Sequence, residues 1–251
     1  MVAKKTTKKT AVPELRIAPP SHAILEVVIK GVPGSVLIME SKHGAEDLKR
    51  KQGSSMDPTV KAGILAQQPG GKTSKIKNVP RTDEVLFEEF QYSLYRVAGK
   101  KNAYGLPAAG FKKSMMELAK NKANEGIDGA HIRRNIWVLA DCKSTYGEDL
   151  VRIKCSEPRQ QLDMGINSGA TPSPRVISRG QIDTWEATLR VKFNTNAFTP
   201  EEILNLVDRC GAEDGYGGKR VGKGHNCGEY AAVLKPGPKV HYLDRKRPAI
   251  K

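Results

Sequence analysis

An alternating strand at 184–193, a doubly signalled helix straight after it and the same strand–helix–strand order upstream predict an α+β protein. The full order reads β-α-β then β-α-β, the split βαβ or ferredoxin-like pattern. Such a chain forms an antiparallel sheet with both helices on one face and the other face open. At 251 residues it fits one elaborated domain or two small ones. The domain is expected over 14–234, between basic tails at 1–13 and 235–251, with a basic insertion at about 41–82.

The first strand is ILEVVIK, 24–30. The insertion after it is rich in Lys, Gly, Gln, Ser and Pro and has little apolar periodicity, which marks a functional or irregular segment. PAAGFKKSMMELAKNK, 107–122, is a helix with Phe111, Met115, Leu118 and Ala119 on one face. NIWVLA, 135–140, and DLVRIKC, 149–155, read as paired strands, the second with Arg152 and Lys154 outward. Residues 157–182, with Pro158, Pro172, Pro174 and several glycines, read as irregular.

In TWEATLRVKF, Trp185, Ala187, Leu189, Val191 and Phe193 alternate with polar residues, which predicts a half-buried strand displaying Arg190 and Lys192. In TPEEILNLVDRCG, Thr199 is the N-cap, Pro200 takes the first helical position and Glu202 completes a capping box. Ile203, Leu206, Val207 and Cys210 form its apolar stripe, and Gly211 is its expected stop. EYAAVL, 229–234, closes the fold as a short strand.

Charge is unevenly placed. Residues 1–13 carry +4, 42–81 carry +6 and 235–251 carry +5, which together make the whole net charge of +15. Basic segments added to a neutral body suit contact with a polyanion, because lysine and arginine displace counterions from phosphates. No apolar run approaches the roughly 18 residues of a membrane span, and the basic N-terminus has no apolar segment of a signal peptide behind it. A soluble, cytoplasmic chain with no membrane partner is expected. The four cysteines, Cys142, Cys155, Cys210 and Cys227, form no CxxC pair and read as free, buried thiols.

The segment GYGGKRVGKGHNCGEY, 215–230, collects six glycines around Lys219, Arg220 and Lys223. It is no dinucleotide fingerprint: the third glycine position falls on Arg220 or Cys227, and the loop follows a helix instead of opening one. AQQPGGKT, 66–73, loosely imitates a phosphate loop, with Asp141 as a magnesium ligand. TSKIKNVPRT after Lys72 lacks an apolar stripe and soon meets Pro80, so nucleotide hydrolysis is not favoured. The five histidines do not have metal-ligand spacing, and neither a metal nor a cofactor is expected. His225 is a candidate general base beside Lys223 and Arg220, against the plainer reading of a polar turn residue. Tyr216 and Tyr230 flank the basic glycines as candidate base-stacking rings, with Tyr230 equally readable as core.

Helix, glycine-rich loop and final strand on a ferredoxin-like core resemble the RAMP superfamily, the CRISPR effector backbone and guide-processing proteins. YGLPAAGFKKSM, TWEATLRVKF and CGAEDGYGGKRVGKGHNCGEYAAV are similar to a bacteriophage-encoded family with a RAMP-like C-terminal half. The resemblance runs over about 84–234, most specifically at Gly211, Gly215, Gly217, Arg220 and Gly228. Lys219 stands where an aromatic residue is usual.

The resemblance implies a non-catalytic binder of RNA or single-stranded DNA in the host bacterial cytoplasm, with self-association along the strand. The expected contacts are Gly215, Gly217, Gly218, Lys219, Arg220 and Lys223 in the loop; Arg152, Lys154, Arg190 and Lys192 on the open sheet face; and Lys49, Arg50, Lys51, Lys72, Lys75 and Lys77 in the insertion. Glycines there would let the main-chain amides approach phosphate. The plainer reading of the loop is a tight connector. Two other functions stay open: a metal-independent ribonuclease with His225 or His131 as base, and a phage structural or host-directed interaction protein.

Overall fold

Alternation in HAILEVVIKG turns Ala23, Leu25, Val27 and Ile29 to one side of β1 (His22–Gly31), where all four are buried. The computed structural model describes residues 21–42, 44, 46, 82–121, 128–167, 173–234 and 237–243. The expected contacts Lys49, Arg50, Lys51, Lys72, Lys75 and Lys77 lie outside the described residues. So do segment 66–73, the N-terminal tail and most of the insertion.

The chain is α+β with a large antiparallel sheet. Its strands are β1, β3 (Tyr104–Pro107), β4 (Ile136–Leu139), β5 (Cys142–Lys143), β6 (Asp149–Cys155), β9 (Trp185–Asn194), β10 (Tyr230–Ala232) and β11 (Lys239–Leu243). The order is β10-β1-β9-β6-β3, with β11 also on β1, β4 on β9 and β5 on β6. The inward residues of β9, from Trp185 to Phe193, are buried as the alternation predicts.

Two helices bring their apolar stripes to that side of the sheet. In α2 (Ala108–Asn121), Phe111, Met115, Leu118 and Ala119 are buried; in α4 (Pro200–Glu213), Ile203, Leu206, Val207 and Cys210 are buried in the same core. The capping box is present: Thr199 Oγ1 accepts from Glu202 N at 3.2 Å, and Glu202 Oε2 accepts from Thr199 N at 2.7 Å. Gly211 does not end α4. A Cβ there would lie 1.9 Å from Tyr230 O, so Gly211 serves the close approach of β10, and the left-handed turn falls at Gly215, φ 68°.

Several elements depart from the expectations. β4 and β6 do not pair with each other. Both pair with β9, Ile136 opposite Phe193 and Ile153 opposite Ala187, so they run end to end along one strand edge. Residues 140–152 leave that line and carry β5 back against β6. The physical reason is register: pairing with β9 sends Ile136 and Ile153 into the core, where both are buried.

Residues 157–182 are not irregular. They contain β7 (Arg159–Asn167) and β8 (Ser173–Ile182), a long antiparallel pair that β2 (Leu37–Met39) extends to a three-stranded sheet. Helix α1 (Asp83–Ser93) lies on β8, and Ser93 Oγ accepts from Gly180 N at 2.8 Å. A seven-residue helix, α3 (Gly129–Asn135), leads into β4 with Asp128 as its cap, its carboxylate accepting from Ala130 N. Within the expected C-terminal tail, residues 239–243 form β11 along the outer edge of β1, because Val240 pairs with Leu25 beside the core.

Candidate nucleic-acid interface

The glycine loop folds onto itself. Gly215 N donates to Cys210 O at 2.8 Å, Tyr216 N to Gly228 O at 2.7 Å, Gly218 N to Ile38 O at 2.8 Å, Gly222 N to Asp214 O at 2.9 Å and Gly228 N to Val36 O at 2.8 Å. These amides point into the protein, which corrects the expectation of a main-chain phosphate cradle. The glycines serve packing. At Gly228, φ 72°, a Cβ would lie 1.7 Å from Tyr216 O; at Gly217, φ 91°, it would lie 2.5 Å from Ile38 O.

Its basic residues divide in the same way. Lys219 Nζ is bonded to Asp163 of β7, which Arg179 of β8 also grips at 3.1 Å. Burial acts against the Asp163 carboxylate, but the hydrogen bonds from Lys219 and Arg179 prevail and hold its pKa below 3.8. Arg220 Nε donates to Asp214 Oδ1 at 3.0 Å, and Ser114 Oγ donates to the other oxygen. Lys219 and Arg220 therefore tie the loop to the hairpin and to α4. Lys223 is exposed and has no carboxylate within 4.0 Å among the described residues.

The sheet face away from α2 and α4 reads as cross-strand rows. One row runs Trp137, Lys192, Ile24, His241; the next runs Leu139, Arg190, Glu26, Lys239. Beyond Thr188 and Val28 comes the row Lys154, Glu186, Lys30, Ala231. The expected contacts Arg152, Lys154, Arg190 and Lys192 all belong to strands that show this face, but their charges are not equally available. Arg190 is held by Asp141 at 3.0 Å, and Lys154 shares Glu186 with Lys30, at 3.6 and 3.0 Å. Arg152 and Lys192 have no carboxylate within 4.0 Å among the described residues. No family model matches the chain, and no curated protein matches it.

The stacking candidates Tyr216 and Tyr230 are excluded by burial. Tyr216 donates to Pro107 O at 2.7 Å and packs on Phe111, and Tyr230 is 1% exposed. Burial raises both phenols well above their ordinary range. Among the exposed rings that sequence reasoning passed over is Trp137, 37% exposed at the edge strand β4. Its place on the outward beat of IWVL, between Ile136 and Val138, was the available signal; that Lys192 lies opposite it comes only from the pairing with β9.

His225 is exposed in the loop, and His131 lies on α3 with its ring 4.9 Å from Phe198. Neither sits against a carboxylate that would orient it as a base, among the described residues. Asp141, the imagined magnesium ligand, is the ion-pair partner of Arg190. The described residues contain no group of three or more His, Cys, Asp or Glu suited to a metal ion, and no helix long and apolar enough to cross a membrane. The four cysteines are free thiols; Cys210 is buried, while Cys142, Cys155 and Cys227 are half-buried.

Proposed function

We propose that this chain binds RNA or single-stranded DNA without cleaving it, on the open face of a ferredoxin-like sheet. The strand order, with β1 between β10 and β9 and with β4 and β6 beyond β9, supports the split βαβ reading, as does the placement of α2 and α4 on one side. The RAMP-like resemblance and a site of action in a host bacterial cytoplasm belong to the same proposal.

The observation that carries the function is the outer sheet face, where Arg152 and Lys192 are unpaired among the described residues. The net charge of +15 adds the nonspecific attraction that such contacts need. Lys219 and Arg220 are taken up by the ion pairs that hold the glycine loop.

Binding of labelled single-stranded RNA and DNA, followed by anisotropy over a salt series, tests the proposal. The expected result is an affinity that falls steeply with salt and drops for every sequence in the Arg152→Ala, Lys192→Ala double variant. Undetectable or salt-independent binding overturns it. Cleavage of RNA in EDTA that disappears with His225→Ala would replace it with the ribonuclease reading. Sedimentation of the saturated complex reads whether protomers associate along the strand.

A further inference from the structure

We infer that Trp137 is a stacking platform for one unpaired base, flanked by cations that hold the adjoining phosphates. This rests on the polynucleotide reading above and narrows it to single strands. Trp137 stands on edge strand β4, where the order β9-β4 ends, so its ring borders open space at the rim of the sheet. Lys112 Nζ lies 5.6 Å and Lys192 Nζ 5.7 Å from the ring centroid, and the ring of His22 is 5.7 Å away.

Lys112 is anchored by donating to Arg133 O at 2.9 Å, and Arg133 and Arg134 are exposed at the end of α3, directly before β4. No carboxylate lies within 4.0 Å of Lys112, Arg133, Arg134 or Lys192 among the described residues. That distinguishes this corner from the rows in which Glu186 takes up Lys30 and Lys154 and Asp141 takes up Arg190.

An indole face among unpaired cations matches the two chemistries of a nucleotide, a flat π-surface and a phosphate beside it. An acidic peptide would use the cations and leave the ring without a role. A duplex would present phosphates with its bases already stacked. An unpaired base can displace one lysine from above the ring, and that lysine then pairs with the phosphate.

Tryptophan emission tests this on the whole protein, since Trp185, the other tryptophan, is 4% exposed in the core. The probes are oligouridylate, oligothymidylate of the same length and the poly(A)·poly(U) duplex, with anisotropy of labelled oligomers as a second readout. Saturable quenching by both single strands but not by the duplex is expected. Trp137→Leu should weaken single-strand binding about tenfold, the loss of one base–aromatic stack, while leaving the salt slope unchanged. Trp137→Phe should lose the quenching yet keep affinity within about threefold, since a smaller ring still stacks. Unchanged emission while anisotropy reports binding overturns the platform and leaves the polynucleotide reading standing; equal quenching by the duplex does the same. No binding of any oligomer overturns both.

Discussion

Arg220 and Asp214 form a part-buried ion pair, Nε to Oδ1 at 3.0 Å, with Ser114 on the second carboxylate oxygen. The pair joins the glycine loop to the end of α4. Replacing Arg220 by Ala strands a carboxylate whose side chain is 10% exposed. A loss of about 3 kcal/mol is expected, at the low end for broken buried pairs because Arg220 keeps some solvent contact. Thermal melting of Arg220→Ala should fall by roughly 6–12 °C at this chain length. Oligonucleotide affinity per folded molecule should stay close to that of the unmodified protein. Full stability with lost affinity would return Arg220 to the binding site.

Asp163 gives the fold a defined acid sensitivity. Its folded-state pKa is depressed, so its contribution is complete above the unfolded value and fades as pH falls through the folded one. The window therefore opens near pH 3.8 and extends below it. Asp163→Asn should lower the melting temperature at neutral pH. The gap between variant and parent should narrow in melts taken at descending pH below about 4. A gap constant with pH would mean that Lys219 and Arg179 do not stabilise the ionised form.

Glycines of one loop should respond very differently to alanine. At Gly228 the new Cβ would meet backbone, 1.7 Å from Tyr216 O, in a left-handed conformation. Gly224 has φ 77° too, but nothing lies within 4 Å of its Cβ position. Gly224→Ala should cost only the conformational strain, about 1–2 kcal/mol. Gly228→Ala should prevent folding of the loop and deplete soluble protein. Comparable melts for the two variants would show that the loop can move apart without loss.

The parts of this fold legible in sequence are those whose signals are local. Thr199, Pro200 and Glu202 announce α4, and the period-two run in TWEATLRVKF announces β9, because capping and alternation act within a few residues. Pairing partners are not local, so the end-to-end placement of β4 and β6 on β9 could not be read from either strand alone. The hairpin β7–β8 did carry alternation at Leu162 and Met164, but both are exposed and sit in a Pro- and Gly-rich stretch that imitates a loop. For the site, residue type was readable and commitment was not. Lys219, Arg220 and Arg190 look like free cations until the fold brings Asp163, Asp214 and Asp141 against them; Asp163 and Asp141 are far away in sequence, and Asp214, at the end of α4, meets Arg220 only because the loop turns back.

Glu186 should restrain binding to the sheet face. Its carboxylate lies 3.0 Å from Lys30 and 3.6 Å from Lys154, and the hydrogen bond from Lys30 holds its pKa below 4.5. It therefore remains ionised throughout the pH range of an ordinary binding assay, and mild acidification cannot release the two lysines. Glu186→Gln removes the negative charge while keeping the side chain's shape. On a polyanion-binding face, affinity for single-stranded oligonucleotides should rise several-fold at low salt. The slope of log affinity against log salt should steepen by about one to two, as the freed lysines displace counterions. Anisotropy titrations of parent and variant over the same salt series give both quantities. An unchanged slope would place the bound strand away from the row formed by Lys154, Glu186 and Lys30, toward the Trp137 rim of the sheet.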